Sequence, residues 1–162
     1  MRILGIDPGS RITGLGVIEA ETLVCAHMLK LGSGPMPERL GVIFSEVSAL
    51  IEAHRPTAVA VETVFLNKNA QVTIKLSQAR GAAICAAVHA GLEVHEYAPR
   101  AVKQALVGRG GAAKTQVQHM TRLLLGLEDD VGEDASDALA VALCHHHTQQ
   151  TNQKLPQGVR FR

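Results

Sequence analysis

Four acidic residues stand where the sequence predicts two strand ends and the start of a helix. Asp7 closes the apolar segment 2–7, and Glu62 closes the apolar segment 57–62. Asp134 and Asp137 lie three residues apart at the start of the last predicted helix. Residues three apart share a helix face, and neighbouring parallel strands end at one edge of a sheet. The sequence therefore predicts that the four carboxylates converge.

Carboxylates without cysteine partners form a hard oxygen site, which suits Mg²⁺, or Mn²⁺ as a substitute, rather than Zn²⁺. Two such ions about 3.5–4 Å apart favour in-line displacement at phosphorus, one helping to deprotonate water and the other stabilising the departing 3′ oxygen. The acids therefore predict phosphodiester hydrolysis with two ions per site. Plainer interpretations stay open, because Asp7 could be a turn residue, and Asp134 and Asp137 could be acids that favour a first helical turn.

The elements that must position these acids follow alternating strand and helix patterns. Segments 2–7, 12–20 and 22–31 predict a three-stranded antiparallel meander. The unbroken apolar run 57–62 is typical of a parallel strand covered on both faces, and residues 93–97 predict a fifth strand. The fold class is α/β, with a five-stranded mixed sheet flanked by helices. Helices are predicted over residues 40–55, from an N-cap at Asn69 to residue 90, and over 101–107, 114–125 and 134–147.

The chain of 162 residues is long enough to bury the core of one domain without disulfides. Residues 148–162 are polar and have no apolar period, so we expect a single domain over residues 1–147 and a disordered tail after it. The formal net charge of +1 does not identify a partner. Between residues 63 and 127, however, only Glu93 and Glu96 oppose a set of basic residues, which predicts a cationic surface as readily as a solvated charged face. That set is Lys68, Lys75, Arg80, Arg100, Lys103, Arg109, Lys114 and Arg122.

No apolar stretch approaches the roughly 18 residues that a membrane span requires, so we expect no membrane association and a cytoplasmic location. Cys25, Cys85 and Cys144 are odd in number, widely spaced and set among apolar residues. This pattern predicts reduced thiols packed in the interior of a cytosolic protein.

Several separated motifs, in this order and spacing, resemble the RuvC family of Holliday-junction resolvases. The first comprises residues 5–9 (Gly-Ile-Asp-Pro-Gly) with Gly14 and Gly16, and the second comprises Val61-Glu62 with Phe65 and residues 67–70. The resemblance covers about residues 1–147. The later motifs are residues 78–81, 102–104, 108–114 and 134–140.

The resemblance implies a ribonuclease-H-like fold. It also implies a homodimer that binds a four-way DNA junction, cuts two strands of like polarity symmetrically and leaves nicks that a ligase can seal. The partners it implies are RuvA and RuvB, which form a branch-migration motor. The metal-binding catalytic acids would be Asp7, Glu62, Asp134 and Asp137.

The resemblance also implies which residues contact DNA. Lys103 and Lys114 match lysines that the family uses near the cut, and Phe65 matches an aromatic residue that stacks on a base at the crossover. Lys68 lies within the second motif, and Arg109 lies in the glycine-rich loop 108–113. We expect all five residues to contact DNA.

Two other motifs are interpreted without chemistry. Residues 108–115 nearly match the sequence pattern of a phosphate-binding P-loop. However, Ala113 replaces the second glycine, and a predicted helix rather than a strand precedes the loop. We therefore expect a cationic DNA-facing loop. His145, His146 and His147 point about 100° apart on a helix and cannot all reach one ion, so we expect them at the surface. His119 and Tyr97 are left out of the predicted site.

Two other functions are weighed. Asp7-Pro8-Gly9 also resembles the phosphate loop of actin-like and sugar-kinase ATPases, but those proteins close two domains around the nucleotide and this chain has room for one. A junction-binding protein without chemistry is the third possibility. Four acids beside cationic segments would weaken its DNA binding unless they served a metal.

Overall fold

The computed structural model describes residues 1–64 and 69–154, which form one mixed sheet with helices on both faces. The strand order is β3-β2-β1-β4-β5, with β1, β2 and β3 antiparallel and with β4 and β5 parallel to β1. This arrangement confirms the predicted ribonuclease-H-like fold. The strands are β1 (Arg2–Asp7), β2 (Ile12–Glu19), β3 (Thr22–Lys30), β4 (Ala58–Glu62) and β5 (Val94–Tyr97).

Five helices in the described part of the chain cover this sheet. Two of them, α1 and α2, pack on one face, and the other three pack on the opposite face. Asn69 caps α2 as predicted, since its side chain accepts a hydrogen bond from the backbone N–H of Gln71. None of these helices is long and apolar enough to cross a membrane. They are α1 (Met36–His54), α2 (Ala70–His89), α3 (Pro99–Val107), α4 (Lys114–Leu125) and α5 (Glu133–Lys154).

Glycines in β1 and β2 allow α5 to lie directly on the sheet. A Cβ atom at Gly5 would overlap the carbonyl oxygen of Ala138, and one at Gly14 would overlap that of Asp134. Side chains at these positions would force the helix away from the strands. The glycines therefore set how closely the first turns of α5 approach the strand ends.

The last helix ends later than predicted. It continues to Lys154, beyond residue 147, so the expected disordered tail is wrong for residues 148–154. Thr148 and Thr151 donate hydrogen bonds to the carbonyl oxygens of Cys144 and His147, one turn earlier. The two bonds satisfy the threonine hydroxyls on the helix itself. The sequence prediction depended on an apolar face, which residues 148–154 lack. Residues 155–162 lie outside the described residues.

The expected surface position is wrong for His145 and His146. His145 is 1% exposed, its Nδ1 lies 2.7 Å from the Tyr97 hydroxyl oxygen, and its ring stacks on His95 at a centroid distance of 4.2 Å. The reason is that this part of α5 is enclosed by the sheet, α3 and α4. Burial, followed by the nearby His95 and His146, lowers the pKa of His145 to about 4, so the ring is neutral near pH 7.

The interior position predicted for the cysteines is correct for Cys144 only. Cys25 is half-buried, and Cys85 is exposed. Cys85 shares α2 with buried alanines, but it lies on the opposite side of that helix from Ala79, Ala83 and Ala86. An apolar sequence context did not reveal which face of the helix the thiol occupies.

Candidate active site

Asp7 and Glu62 lie side by side at the carboxyl edge of the sheet. β1 and β4 are parallel neighbours whose register pairs Ile6 with Val61, so the next residue of each strand is one of the two acids. Both strands are buried up to this point, and each acid is half-exposed. A side-chain hydrogen bond from Asp7 to Glu62 joins them. Strand pairing thus brings two of the candidate acids together.

Asp134 and Asp137 reach the same edge from the first turn of α5. Gly14 of β2 pairs with Asp7, and the Asp134 backbone lies closely over Gly14. The start of α5 is thereby held beside the end of β1. The negative charges of Asp134 and Asp137 act on Asp7, so the four predicted acids form one electrostatic group.

The environment of these acids disfavours free carboxylates. The pKa of Asp7 is raised to about 8, because the group is buried and because Glu62, Asp137 and Asp134 repel its negative charge. Burial, with a further contribution from Asp137, raises the pKa of Glu62, and the hydrogen bond from Asp7 offsets part of that rise. Burial also raises the pKa of Asp137, against the opposing effect of Lys114. A proton or a cation relieves this cost.

Lys114 is in direct contact with one of these acids. Its Nζ lies 2.7 Å from Asp137 Oδ2 and 2.5 Å from Glu133 Oε1. Burial lowers the pKa of Lys114, but hydrogen bonds to Asp137 and Glu133 outweigh burial, so the pKa is above its usual value. Sequence reasoning missed Glu133. The available signal was its position four residues before Asp137, which places both on one face of α5.

Glu62 and Asp137 open into a cleft of about 200 Å³ that also contains two of the predicted DNA-binding lysines. Lys103 comes from α3, and Lys114 is the first residue of α4. Cationic side chains in such a cleft attract the phosphates of a DNA strand. The remaining lining is mostly apolar and consists of Pro99, Val102, Val117 and Ala140.

The donor set fits divalent cations that prefer oxygen ligands, since the acids at this edge are carboxylates without a cysteine among them. Within residues 1–64 and 69–154, no three His, Cys, Asp or Glu side chains stand in a ready metal-coordinating arrangement. The contacts of the acids explain this result. Asp7 is hydrogen-bonded to Glu62, and Lys114 is bonded to Asp137, so both interactions must give way before an ion can be held.

One other predicted DNA-binding residue that the structure describes, Arg109, lies outside this cleft. Arg109 is exposed in the loop between α3 and α4 and is not among the residues that line the cleft. Phe65 and Lys68 lie outside the described residues. His119 lines a separate cleft with Arg122 and other residues of α4 and α5, so it stays outside the candidate site.

Comparison with known proteins gives a match along most of the chain. A family model described as crossover junction endodeoxyribonuclease RuvC matches residues 3–145. The chain is 52% identical to a protein of that name from Methylococcus capsulatus over an alignment of 162 positions that covers 98% of each chain. It is 54% identical to one from Pseudomonas aeruginosa over 153 residues, covering 92% of this chain and 88% of the relative.

Solved structures are similar in shape as well. A Thermus thermophilus RuvC in complex with Holliday junction substrate superposes with a TM-score of 0.87 at 39% identity, over 93% of this chain and 96% of that one. The yeast mitochondrial Holliday junction resolvase Ydc2 superposes with a TM-score of 0.62 at 10% identity, over 90% of this chain and 77% of that one. The second likeness concerns the fold alone.

Proposed function

The chain belongs to the RuvC family of crossover junction endodeoxyribonucleases, and on that premise we propose that it resolves four-way DNA junctions by metal-dependent hydrolysis of phosphodiester bonds. The observation that carries the metal-dependent part is the group of partly buried, mutually repelling acids beside a lysine-containing cleft. Four-way DNA as the substrate is supported by the junction complex of the T. thermophilus relative. The products would be paired nicks that a ligase can seal.

Asp7, Glu62 and Asp137, together with Asp134, are the residues that would hold the metal, and Mg²⁺ or Mn²⁺ fits their oxygen ligands. When bound, two such ions would lower the pKa of the attacking water and neutralise charge on the departing 3′ oxygen. The raised pKa values of Asp7 and Glu62 support this role, because each acid favours an added positive charge.

The remaining residues of the cleft would position the strand. Lys103 and Lys114 would bind phosphate oxygens on either side of the bond that is cut. The apolar side chains of Val102 and Val117 keep water away from part of the cleft, which strengthens the attraction between these ammonium groups and phosphate. Water would attack phosphorus, the bond to the 3′ oxygen would break, and that oxygen would take up a proton.

Symmetric cuts in two strands require two sites, and each chain supplies one. We therefore propose that the active form is a homodimer and that it works with RuvA and RuvB. Ala79, Ala83 and Ala86 of α2 are buried within this chain and are therefore occupied by its own core. Exposed Val72 and Ile74 on the same helix are available for contact with a second copy.

The function is tested with a synthetic four-way junction in which each strand is labelled in turn. With Mg²⁺ the protein should nick two strands of like polarity at matching positions, and a ligase should reseal the products. Chelation of Mg²⁺ should stop nicking, and a linear duplex of the same sequence should stay intact. Binding without any nick, at any Mg²⁺ concentration, would instead support a purely architectural protein.

A further inference from the structure

Glu133 is an acid beside the candidate site that the proposed mechanism does not use. It is the first residue of α5 and stands four residues before Asp137, so both side chains project from the same helix face. Their carboxylates share one partner, since Lys114 Nζ lies 2.5 Å from Glu133 Oε1 and 2.7 Å from Asp137 Oδ2. The ammonium group of Lys114 is therefore paired with both carboxylates at once.

The two acids that bind Lys114 differ in their exposure to solvent. The Asp137 side chain is 20% exposed and lines the cleft, whereas the Glu133 side chain is 65% exposed. Glu133 instead borders the neighbouring cleft that also contains His119. The two ion pairs of Lys114 thus connect Asp137, inside the candidate site, with Glu133, at its outer rim.

A lysine on Asp137 opposes a metal ion at the same carboxylate. The ammonium group uses an Asp137 oxygen that a metal would need, and two cations at one carboxylate repel each other. Lys114 must therefore leave Asp137 when that residue becomes a ligand. Glu133 is already in contact with Lys114, so the ammonium can withdraw to it without losing its ion pair.

We propose that Glu133 is a positioning residue that draws Lys114 away from Asp137 when the acids bind a divalent cation. This inference rests on the metal site of the proposed function. Without Glu133, Lys114 would retain Asp137 as the remaining one of these two acidic partners. It would then compete with the metal ion for the Asp137 carboxylate. The residue thus sets how much Mg²⁺ or Mn²⁺ the site needs, and it does not touch the reacting atoms.

The test measures Mn²⁺ binding directly, from the loss of the free Mn²⁺ signal in electron paramagnetic resonance. Glu133→Gln should raise the dissociation constant for Mn²⁺ by about threefold, the size expected for one partly exposed ion pair. Asp129→Asn, which removes an exposed acid from the nearby loop, is the matched control and should change it little.

A double-mutant cycle separates positioning from a simple loss of negative charge. Lys114→Gln should tighten Mn²⁺ binding, and adding Glu133→Gln to that variant should have no further effect. If Glu133→Gln still weakens binding in the absence of Lys114, the residue acts through its charge alone and the proposal is wrong. An unchanged dissociation constant in the single Glu133→Gln variant would also overturn it.

Failure of the underlying metal site would look different. If wild-type protein binds no Mn²⁺, or if Asp7→Asn leaves Mn²⁺ binding unchanged, the proposed metal site is wrong and the role of Glu133 falls with it. If Asp7→Asn abolishes binding while Glu133→Gln has no effect, the metal site stands and only the role of Glu133 is rejected.

Discussion

The Asp7 carboxyl combines burial with the repulsion of three nearby acids, and its pKa of about 8 reflects both effects. At neutral pH most of this group therefore carries a proton, and in that form it can donate to Glu62. A cation that binds these oxygens must displace that proton. Metal binding and proton release are therefore linked at this residue.

The first prediction concerns this linkage. Affinity for Mg²⁺ should rise with pH up to about 8, where the Asp7 carboxyl loses its proton even when no metal is bound. Above that value the affinity should level off. Isothermal titration calorimetry in two buffers of different ionisation enthalpy measures the released protons. Release at about pH 6.5 that vanishes near pH 9 is expected, and no release at the lower pH would contradict the link between metal binding and loss of the Asp7 proton.

The second prediction concerns Lys103, the cleft lysine that forms no salt bridge with another described residue. If it contacts a phosphate, Lys103→Ala should flatten the slope of log affinity against log salt by about one unit. Fluorescence anisotropy of a labelled junction over a salt series measures the slope. Lys154→Ala, at the far end of α5, is the control, and an unchanged slope for Lys103→Ala would assign that lysine a role other than phosphate contact.

Single residues differed in how well the sequence revealed them. Asp7 and Glu62 could be identified because each ends an apolar strand, and parallel pairing then makes them neighbours. Glu133 was missed although its position four residues before Asp137 was available, because its contact with Lys114 crosses from one helix to another. His145 was misjudged for a similar reason, since a histidine run contains no information about the Tyr97 hydroxyl that it meets in the core.

At the scale of elements, the candidate site depends on how closely α5 approaches the sheet. Gly5 and Gly14 leave room for the helix backbone, and the helix then presents Asp134 and Asp137 beside the end of β1. A bulkier residue at either glycine would move the helix and separate its acids from Asp7. Packing at these glycines thus sets the position of the α5 acids relative to Asp7.

The third prediction follows from this packing. Gly14→Ala should lower the free energy of unfolding by about 1–3 kcal/mol, the usual cost of overpacking, and should also slow junction cleavage. Chemical denaturation and a single-turnover cleavage assay measure the two effects. Gly41→Ala is the matched control, because an added Cβ meets nothing within 4 Å at that exposed position of α1, and it should cleave normally. Full cleavage by Gly14→Ala would mean that the site tolerates movement of α5.

Element types and order could be predicted well from periodicity and turn residues, whereas element ends could not. Helix α1 begins at Met36, ahead of the first apolar residue of its pattern, because a helix tolerates Pro37 in its first turn. Helix α5 continues past its apolar pattern to Lys154, with the threonine hydroxyls bonded to carbonyl oxygens of the helix itself. In both cases the helix includes residues beyond its apolar face, so an apolar period does not locate the terminus.

For the whole molecule, the DNA surface combines regions of opposite charge. Glu62 and Asp137 line a cleft together with Lys103 and Lys114, while Arg109 is exposed on the adjoining loop. Positive groups around a negative site allow the DNA strand to approach even though the acids repel phosphate. This distribution explains why a net charge of +1 gave little indication of a DNA-binding protein.

The fourth prediction concerns Phe65, which follows β4 by three residues and lies outside the described part of the chain. If its ring stacks on a base opened at the crossover, Phe65→Ala should cleave an intact junction poorly. It should regain much of its rate on a junction with an unpaired base at the cut, because stacking of about 1–3 kcal/mol is then no longer needed to hold the base out. Equal impairment on both substrates, with unchanged thermal stability, would reject the stacking role.

The central claim is that the four acids hold the metal that cleaves the junction, and Asp7→Asn tests it most directly. Junction affinity and single-turnover cleavage should be measured on the same preparation at saturating Mg²⁺, after thermal unfolding confirms that the variant is folded. We expect cleavage to fall more than about a hundredfold while affinity stays equal or improves, since a charge that repels phosphate is lost. A rate near that of the wild-type protein would contradict the claim.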